Sequence, residues 1–522
     1  MTADPAVRRL QAKAAAQSSL ASQGFVLTRL QEVAWPAVIV ALITLAAFTQ
    51  RLYLALGDTL PLGDGGMFYA IIEQIRANGY ALPNFVVYDE IDIPFAYSPL
   101  TFYVAALISD VFAIDSLEVL RFLPLIVSCL TVPVFYVLAK SILRRVDASL
   151  VATAFFAVHS SFVQLIMGGG LPRSFGLFFA ILALYHLYRL TKDDARPRRA
   201  LLAALFMALT VLSHLEMAWL VALFYVVMLC AFTRSWRDLI YPAGVAVLSL
   251  ALTAPWWGIV VERHGLEPYL GALDSGAARS MAPIGLLALP LSRRWFVPAL
   301  LVASLYFGGR NVDFSLGISA ALLLGSLSGW LLPRLRPQRS LGSMRTRVLR
   351  GLETTGAAAG VLFLAAMAVS ITNSTLNAVD AWSGRPPGEA ASFEWIRDNT
   401  PVDSRFLVIA DTGQWGFDHT GEWLPVLAER HNLATVQGRE WLRGAEGYPA
   451  ARARYEDLRR CVTADVACLE AWRPVQDVDY THVYITRDDC CLALRESLAA
   501  APGYALAYDG PGAQVYERLN PP

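Results

Sequence analysis

A succession of apolar stretches limits what this chain can fold into more than any other feature. They cover residues 33–56, 98–114, 119–142, 149–166, 172–190, 200–232, 239–261, 281–291, 295–307, 314–332 and 356–371. About twenty apolar residues carry a helix across a bilayer, and such a segment must satisfy its own backbone hydrogen bonds. With 56% hydrophobic and only 16% charged residues over 522 positions, the chain is too apolar for a water-soluble protein of that length. The expected fold is therefore mainly α-helical and polytopic, with membrane lipids as its surroundings. Lys plus Arg equals Asp plus Glu at 43 each, so no charge excess argues for nucleic acid. Neither a P-loop nor a G-x-G-x-x-G after a strand points to a nucleotide.

Basic clusters give the orientation, because short loops rich in Lys and Arg stay cytoplasmic. The clusters are Arg8/Arg9/Lys13, Lys140/Arg144/Arg145, Lys192/Arg196/Arg198/Arg199, Arg234/Arg237, Arg293/Arg294 and Arg334 to Arg350. All six share one side if 98–114 does not cross, if 200–232 is two short helices, and if 281–291 does cross. That parity predicts about eleven crossings. Residues 1–32 are then a cytoplasmic segment with no cleavable signal, and 33–375 a transmembrane domain with a first outer loop at 57–97. Residues 376–522 form an exported, soluble α/β domain, and the protein sits multi-pass in the plasma membrane. After Asn373 the pattern becomes that of a soluble domain of ordinary size. Helices are expected at 393–397 and 492–500, strands at 405–410 and 480–486, and a terminal hairpin from 505–508 and 514–516.

Cys461, Cys468, Cys490 and Cys491 fall in the exported part, where disulfides persist. If Cys461 and Cys468 share one helix, their Cα atoms lie about 10 Å apart, too far to bridge. A bridge from that helix to Cys490 or Cys491 is expected instead. No C-x-x-C pair or accompanying His pattern suggests zinc.

The outer side collects the residues with chemistry. The first loop reads Gly63-Asp64-Gly65-Gly66, then an amphipathic helix to about Arg76, then Tyr88 through Leu100 with Asp89, Glu90 and Asp92. A carboxylate just outside the membrane, with glycines that let a substrate approach, suits a general base for a hydroxyl acceptor. Asp64 capping the following helix is the plain structural alternative. On the same side lie the turn Gly168-Gly169-Gly170-Leu171-Pro172-Arg173, the break at His214 and Glu216, and Trp256-Trp257 through Arg263-His264. Interfacial Trp and helix-end charges also serve as ordinary membrane anchors.

An acidic residue soon after the first membrane helix, loop helices, and Ser98-Pro99-Leu100 resemble the GT-C superfamily of polyprenyl-phosphate-sugar-dependent glycosyltransferases. Its mannosyltransferase, aminoarabinose-transferase and galacturonosyltransferase group is the nearest in pattern. The Gly-rich turn with Arg173, Leu212 to Glu216, Pro255-Trp256-Trp257, Arg310 and Gly421-Glu422-Trp423-Leu424-Pro425 extend the resemblance. It implies inverting transfer of a sugar from a polyprenyl phosphate to a hydroxyl on the outer face, with Asp64 as base. Arg173 and Arg263 would meet the departing phosphate. Asp89, Glu90, Asp92, Tyr97, His214, Glu216, His264 and Arg310 would line the substrate site. The acceptor is left open as glycan, lipid or protein. A divalent cation, Mg²⁺ or Mn²⁺ on Asp64 and Asp92, is also left open, although glycine beside Asp64 departs from the adjacent acidic pair of metal-dependent members. Two other function classes compete. A flippase or transporter of lipid-linked sugars would show symmetric halves and ionisable residues deep in its helices. A non-catalytic relative would use Trp415, Trp423 and Trp441 to bind a cell-surface partner.

Overall fold

The computed structural model describes residues 35–56, 63–159, 165–166, 170–192, 196–268, 270, 295–307, 312–335, 388–410, 412–476, 479–487 and 491–519. The N-terminal segment, the runs 281–291 and 356–371, Arg310 and Cys490 lie outside the described residues.

Helices follow the apolar runs. In chain order they begin with α1 (Trp35–Leu56), α2 (Gly65–Ala77), the strands β1 (Phe85–Tyr88) and β2 (Ile91–Pro94), and α3 (Leu100–Phe112). Then come α4 (Ser116–Leu143), α5 (Val146–Ala157), α6 (Gly170–Leu190), α7 (Arg196–Ser213), α8 (Leu215–Phe232), α9 (Ile240–His264), α10 (Phe296–Phe307) and α11 (Val312–Leu335). Among the described residues, six helices are long and apolar enough to cross a membrane: α1, α4, α6, α8, α9 and α11. The chain is a multi-pass membrane protein. The run 200–232 divides at His214 into α7 and α8. At 13 residues, α3 reaches only about 20 Å, short of a hydrocarbon core of about 30 Å. The Ser98 hydroxyl donates to the Val211 carbonyl at 2.8 Å and holds the start of α3 against α7.

The bundle packs around Phe135 and Phe156, whose rings stack 3.9 Å apart, with Leu177, Ile181, Leu220 and Phe224. Lipid tails are as apolar as leucine, so close packing rather than water exclusion holds such helices together. Small residues carry that packing: a Cβ on Gly325 of α11 would lie 2.5 Å from the Ala148 carbonyl of α5.

The C-terminal region contains α12 (Glu389–Asn399), β3 (Arg405–Ile409), α13 (His419–Leu427), β4 (His431–Asn432), α14 (Tyr448–Arg459), α15 (Val466–Gln476), β5 (His482–Thr486), α16 (Leu492–Ala500), β6 (Tyr504–Asp509) and β7 (Ala513–Arg518). Its sheet runs β4-β3-β5-β7-β6. Strand β3 is parallel to β4 and β5, while β5, β7 and β6 are antiparallel. Alternation along β3 sends Leu407 and Ile409 to a core with Val483, Ile485 and Leu494. Phe406 and Val408, on the other face, enter a core with Phe68, Ile72, Val86, Tyr88 and Trp423. A strand covered on both faces reads as a continuous apolar run, which is why it was legible. The second of these cores joins the first loop to the C-terminal sheet.

Two features differ from expectation. Cys461 and Cys468 bridge each other, with Cα atoms 5.4 Å apart. The helix assumed to contain both ends at Arg459, and Cys468 begins afresh in α15 after a turn. Cys491 is buried. The hairpin of β1 and β2 was also not anticipated, because its turn residues, Asp89 and Glu90, have φ of 53° and 61°. Such turns normally announce themselves with Asn-Gly.

Candidate functional site

Asp64 stands immediately before α2 with φ of 65° and ψ of 15°, a left-handed conformation that Asp tolerates better than most residues. Its side chain makes no capping hydrogen bond to the helix, so the plain capping role does not account for it. Instead Asp64 lines a cavity of about 420 Å³ together with Gly63, Arg173 and Glu440. Arg173 lies in the first turn of α6, where helix amides and dipole favour an anion. Its Nε is buried and has no hydrogen-bond partner among the described residues. Carboxylate and guanidinium thus face one space from two separate elements.

Tyr97 belongs to the same neighbourhood. Its ring packs edge-on against Phe68, Phe102 and Trp441. Burial, and then the Asp64 charge, push its hydroxyl well above the ordinary tyrosine range, with Arg173 opposing. Glu216, in the first turn of α8, and Glu440 act on Tyr97 in the same sense as Asp64. His214 is buried at the start of α8, against α6, where a Cβ on Gly176 would meet the His214 Cβ at 2.8 Å.

The remaining sequence candidates are placed elsewhere. Asp89 is buried; its Oδ1 lies 2.9 Å from His431 Nδ1 and accepts from the Asn432 amide at 2.8 Å. Asp89 therefore fastens the β1–β2 hairpin to the C-terminal sheet. Glu90 is 64% exposed, 3.8 Å from His431, and Asp92 faces outward on β2. Arg263 donates to the Leu82 and Pro83 carbonyls at 3.2 Å. His264 Nε2 lies 2.9 Å from the Asn84 carbonyl, so both residues tie the end of α9 to the loop before β1. Among the described residues no three His, Cys, Asp or Glu side chains form a metal-binding group. The donor set does not fit a cation held by Asp64 and Asp92, because Asp92 faces outward on β2 and is not among the residues that line the cavity with Asp64.

Sequence reasoning missed the support behind Asp64. Glu422 of α13 is 1% exposed, and its Oε1 accepts from the Gly66 amide at 3.0 Å. The Tyr88 hydroxyl donates to the Glu422 carbonyl at 2.7 Å. A Cβ on Gly66 would fall 2.3 Å from that carbonyl oxygen, and one on Gly65 would fall 2.7 Å from the Trp423 ring. These two glycines exist for contact with α13, not for substrate access. Burial, then repulsion from Asp64, hold the Glu422 carboxyl well above the usual range.

His431 makes the hairpin contact pH-dependent. Burial lowers its pKa, but the Asp89 hydrogen bond and charge outweigh that and leave it raised. A raised folded-state value contributes stability that is complete below the ordinary 6.5 and is lost as pH rises through the folded value. Amides of β1 and β2 are expected to exchange faster at pH 8 than intrinsic rates alone dictate, and His431→Asn should flatten that difference. Unchanged protection between pH 6 and 8 in the parent would refute the linkage.

The sequence matches the family model described as dolichyl-phosphate-mannose-protein mannosyltransferase over residues 94–259. No curated protein matches it. Its fold is similar to the oligosaccharyltransferase AglB of Archaeoglobus fulgidus in complex with an inhibitory peptide and a dolichol-phosphate. There the identity is 15%, the TM-score 0.50, and 88% of this chain and 70% of that one are covered. It is likewise similar to the A. fulgidus enzyme tethered with an acceptor peptide, at 15% identity and TM-score 0.51, covering 94% and 74%. The mycobacterial arabinofuranosyltransferase AftD gives 15% identity and TM-score 0.52, covering 93% of this chain and 40% of that one. Residues 94–259 thus match a mannosyltransferase family model, and the chain shares the fold of these membrane glycosyltransferases of known structure.

Proposed function

We propose that the protein transfers a sugar from a polyprenyl-phosphate donor to a hydroxyl acceptor at the outer membrane face, with inversion at the anomeric carbon. The observation that carries this reading is that Asp64 and Arg173 line one cavity. The Asp64 carboxylate takes the acceptor's hydroxyl proton as the acceptor oxygen bonds to the anomeric carbon. The bond from that carbon to the phosphate oxygen breaks, its electron pair stays on the phosphate, and Arg173 offsets the growing charge. The structure of the archaeal relative with dolichol-phosphate, and its counterpart with a tethered acceptor peptide, support a lipid-linked donor meeting an acceptor in this fold.

The test is to supply the purified full-length protein with polyprenyl-phosphate-linked hexoses and pentoses together with a panel of glycan, lipid and hydroxyl-bearing peptide acceptors. Released polyprenyl phosphate is quantified, and the product's anomeric configuration is read by NMR. Release that Arg173→Ala reduces by about tenfold or more supports the reading. No release from any donor would refute it.

In this reading residues 33–375 form the catalytic membrane unit, and 376–522 an exported unit facing the same side as Asp64. The disulfide between Cys461 and Cys468 supports that orientation, because such bonds persist outside the cytoplasm. In intact cells, Cys461→Ala should expose Cys468 to a membrane-impermeant maleimide. It should also destabilise the α14–α15 connection by about 2 kcal/mol, seen as faster proteolysis there. Labelling only after lysis would invert the topology.

A further inference from the structure

The rest of the cavity lining, beyond Asp64 and Arg173, has a composition of its own. It is built from the loop holding Gln414, Trp415 and Phe417, and from Tyr448, Arg452 and Tyr455 of α14. Resting on the activity proposed above, we infer that this wall is the acceptor subsite and that the acceptor it takes is a neutral saccharide.

Among the described residues, the cavity lining contains no aliphatic side chain. An acyl chain or an apolar peptide side chain would meet a wall more polar than apolar and gain little by leaving water. Aromatic rings instead offer flat apolar faces, and the polar neighbours offer hydrogen bonds, a pairing that suits a sugar ring with C–H faces and a rim of hydroxyls. Charge makes a further selection. The lining holds three bases, Arg173, Arg452 and Arg459, and three acids, Asp64, Glu440 and Glu456. Arg452 and Glu456 pair at 2.6 Å, and Arg173 and Arg459 are matched in number by Asp64 and Glu440, which leaves the cavity as a whole without the surplus positive charge an anionic polymer requires.

The wall is also preformed. Trp415 and Tyr448 meet edge-to-face at 5.5 Å. The Thr412 and Tyr455 hydroxyls are 2.9 Å apart, Gln437 donates to the Trp415 carbonyl at 3.3 Å, and Arg459 donates to the Gly413 carbonyl. Ordering these groups before binding removes a cost that binding would otherwise carry. Phe417 is 38% exposed, open to a chain longer than one sugar.

The experiment measures equilibrium binding to the full-length protein, with no donor present, so its outcome does not depend on turnover. The probes are neutral tetrasaccharides of mannose, glucose, galactose and arabinose, free and as alkyl glycosides, alongside Ser- and Asn-containing peptides and a long-chain alcohol. At least one tetrasaccharide is expected to bind and to protect Trp415 from oxidation. Trp415→Ala should weaken it about tenfold and Trp415→Phe only two- to threefold. Equal binding of free and glycosidic forms assigns a polysaccharide acceptor, and a preference for the alkyl glycoside assigns a glycolipid headgroup; both uphold the subsite. Binding by peptide or alcohol alone, or tetrasaccharide binding indifferent to Trp415, overturns it. If saccharide binds but no donor is ever consumed, the catalytic reading fails while the subsite stands.

Discussion

Asp64→Asn is expected to lower sugar transfer by about two to four orders of magnitude, with the donor KM changed only a few-fold. An amide cannot accept the acceptor's proton, so the loss should fall on kcat, where a general base acts. The choice of Asn matters because residue 64 has a left-handed backbone. Asn visits that region nearly as readily as Asp, whereas most other residues strain there by about 1–2 kcal/mol. Asn therefore removes the base and keeps the turn, and Ala would confuse the two. The comparison is made at matched protein levels. Equal transfer by both proteins would reduce Asp64 to a marker of the turn.

What the sequence reveals about this site follows from how local each signal is. Membrane helices are written in runs of about twenty residues, and the charges that end them are local too, so Arg173, His214 and Glu216 are legible as helix-end residues, where the structure has them. Asp64 was legible for the same reason. Contacts that hold the site together are not local. Asp89 meets His431 across 342 positions, and Glu422 meets Gly66 across 356. A Glu in a helical pattern reads as solvated, and two consecutive glycines read as room for a ligand. Only the packing of α13 onto α2 reveals that the glycines make room for protein. The disulfide failed for a different reason: a helix extended through residues 460–465 on weak local grounds forbade a pairing that a turn permits.

That packing makes Gly66→Ala a severe substitution with an unusual sign. Helix propensity alone favours Ala over Gly inside α2 by about 1 kcal/mol. Against it, the new Cβ would lie 2.3 Å from the Glu422 carbonyl oxygen and 3.0 Å from its carbon, backbone atoms with no rotamer to retreat into. Overpacking of this kind costs about 1–3 kcal/mol, so the clash wins and α13 must move off α2. Asp64 is two residues away, and displacing a reacting group by about 1 Å costs about a hundredfold in rate. Gly66→Ala should therefore lose one to two orders of magnitude in kcat, out of proportion to its stability. Glu422→Gln is the counterpart that should be tolerated. Gln keeps an oxygen for the Gly66 amide, and burial already disfavours the charge it would remove. A carboxyl whose folded pKa is raised contributes stability that is complete below its ordinary 4.5 and is lost as pH climbs toward the folded value. Within that window each pH unit costs the parent up to about 1.4 kcal/mol, and the Gln variant escapes the loss. Thermal midpoints should then favour Glu422→Gln by a margin that widens as pH rises from that ordinary value toward the folded one. A variant that loses ground to the parent as pH rises would mean that Glu422 is ionised in the fold, held by a partner rather than by burial.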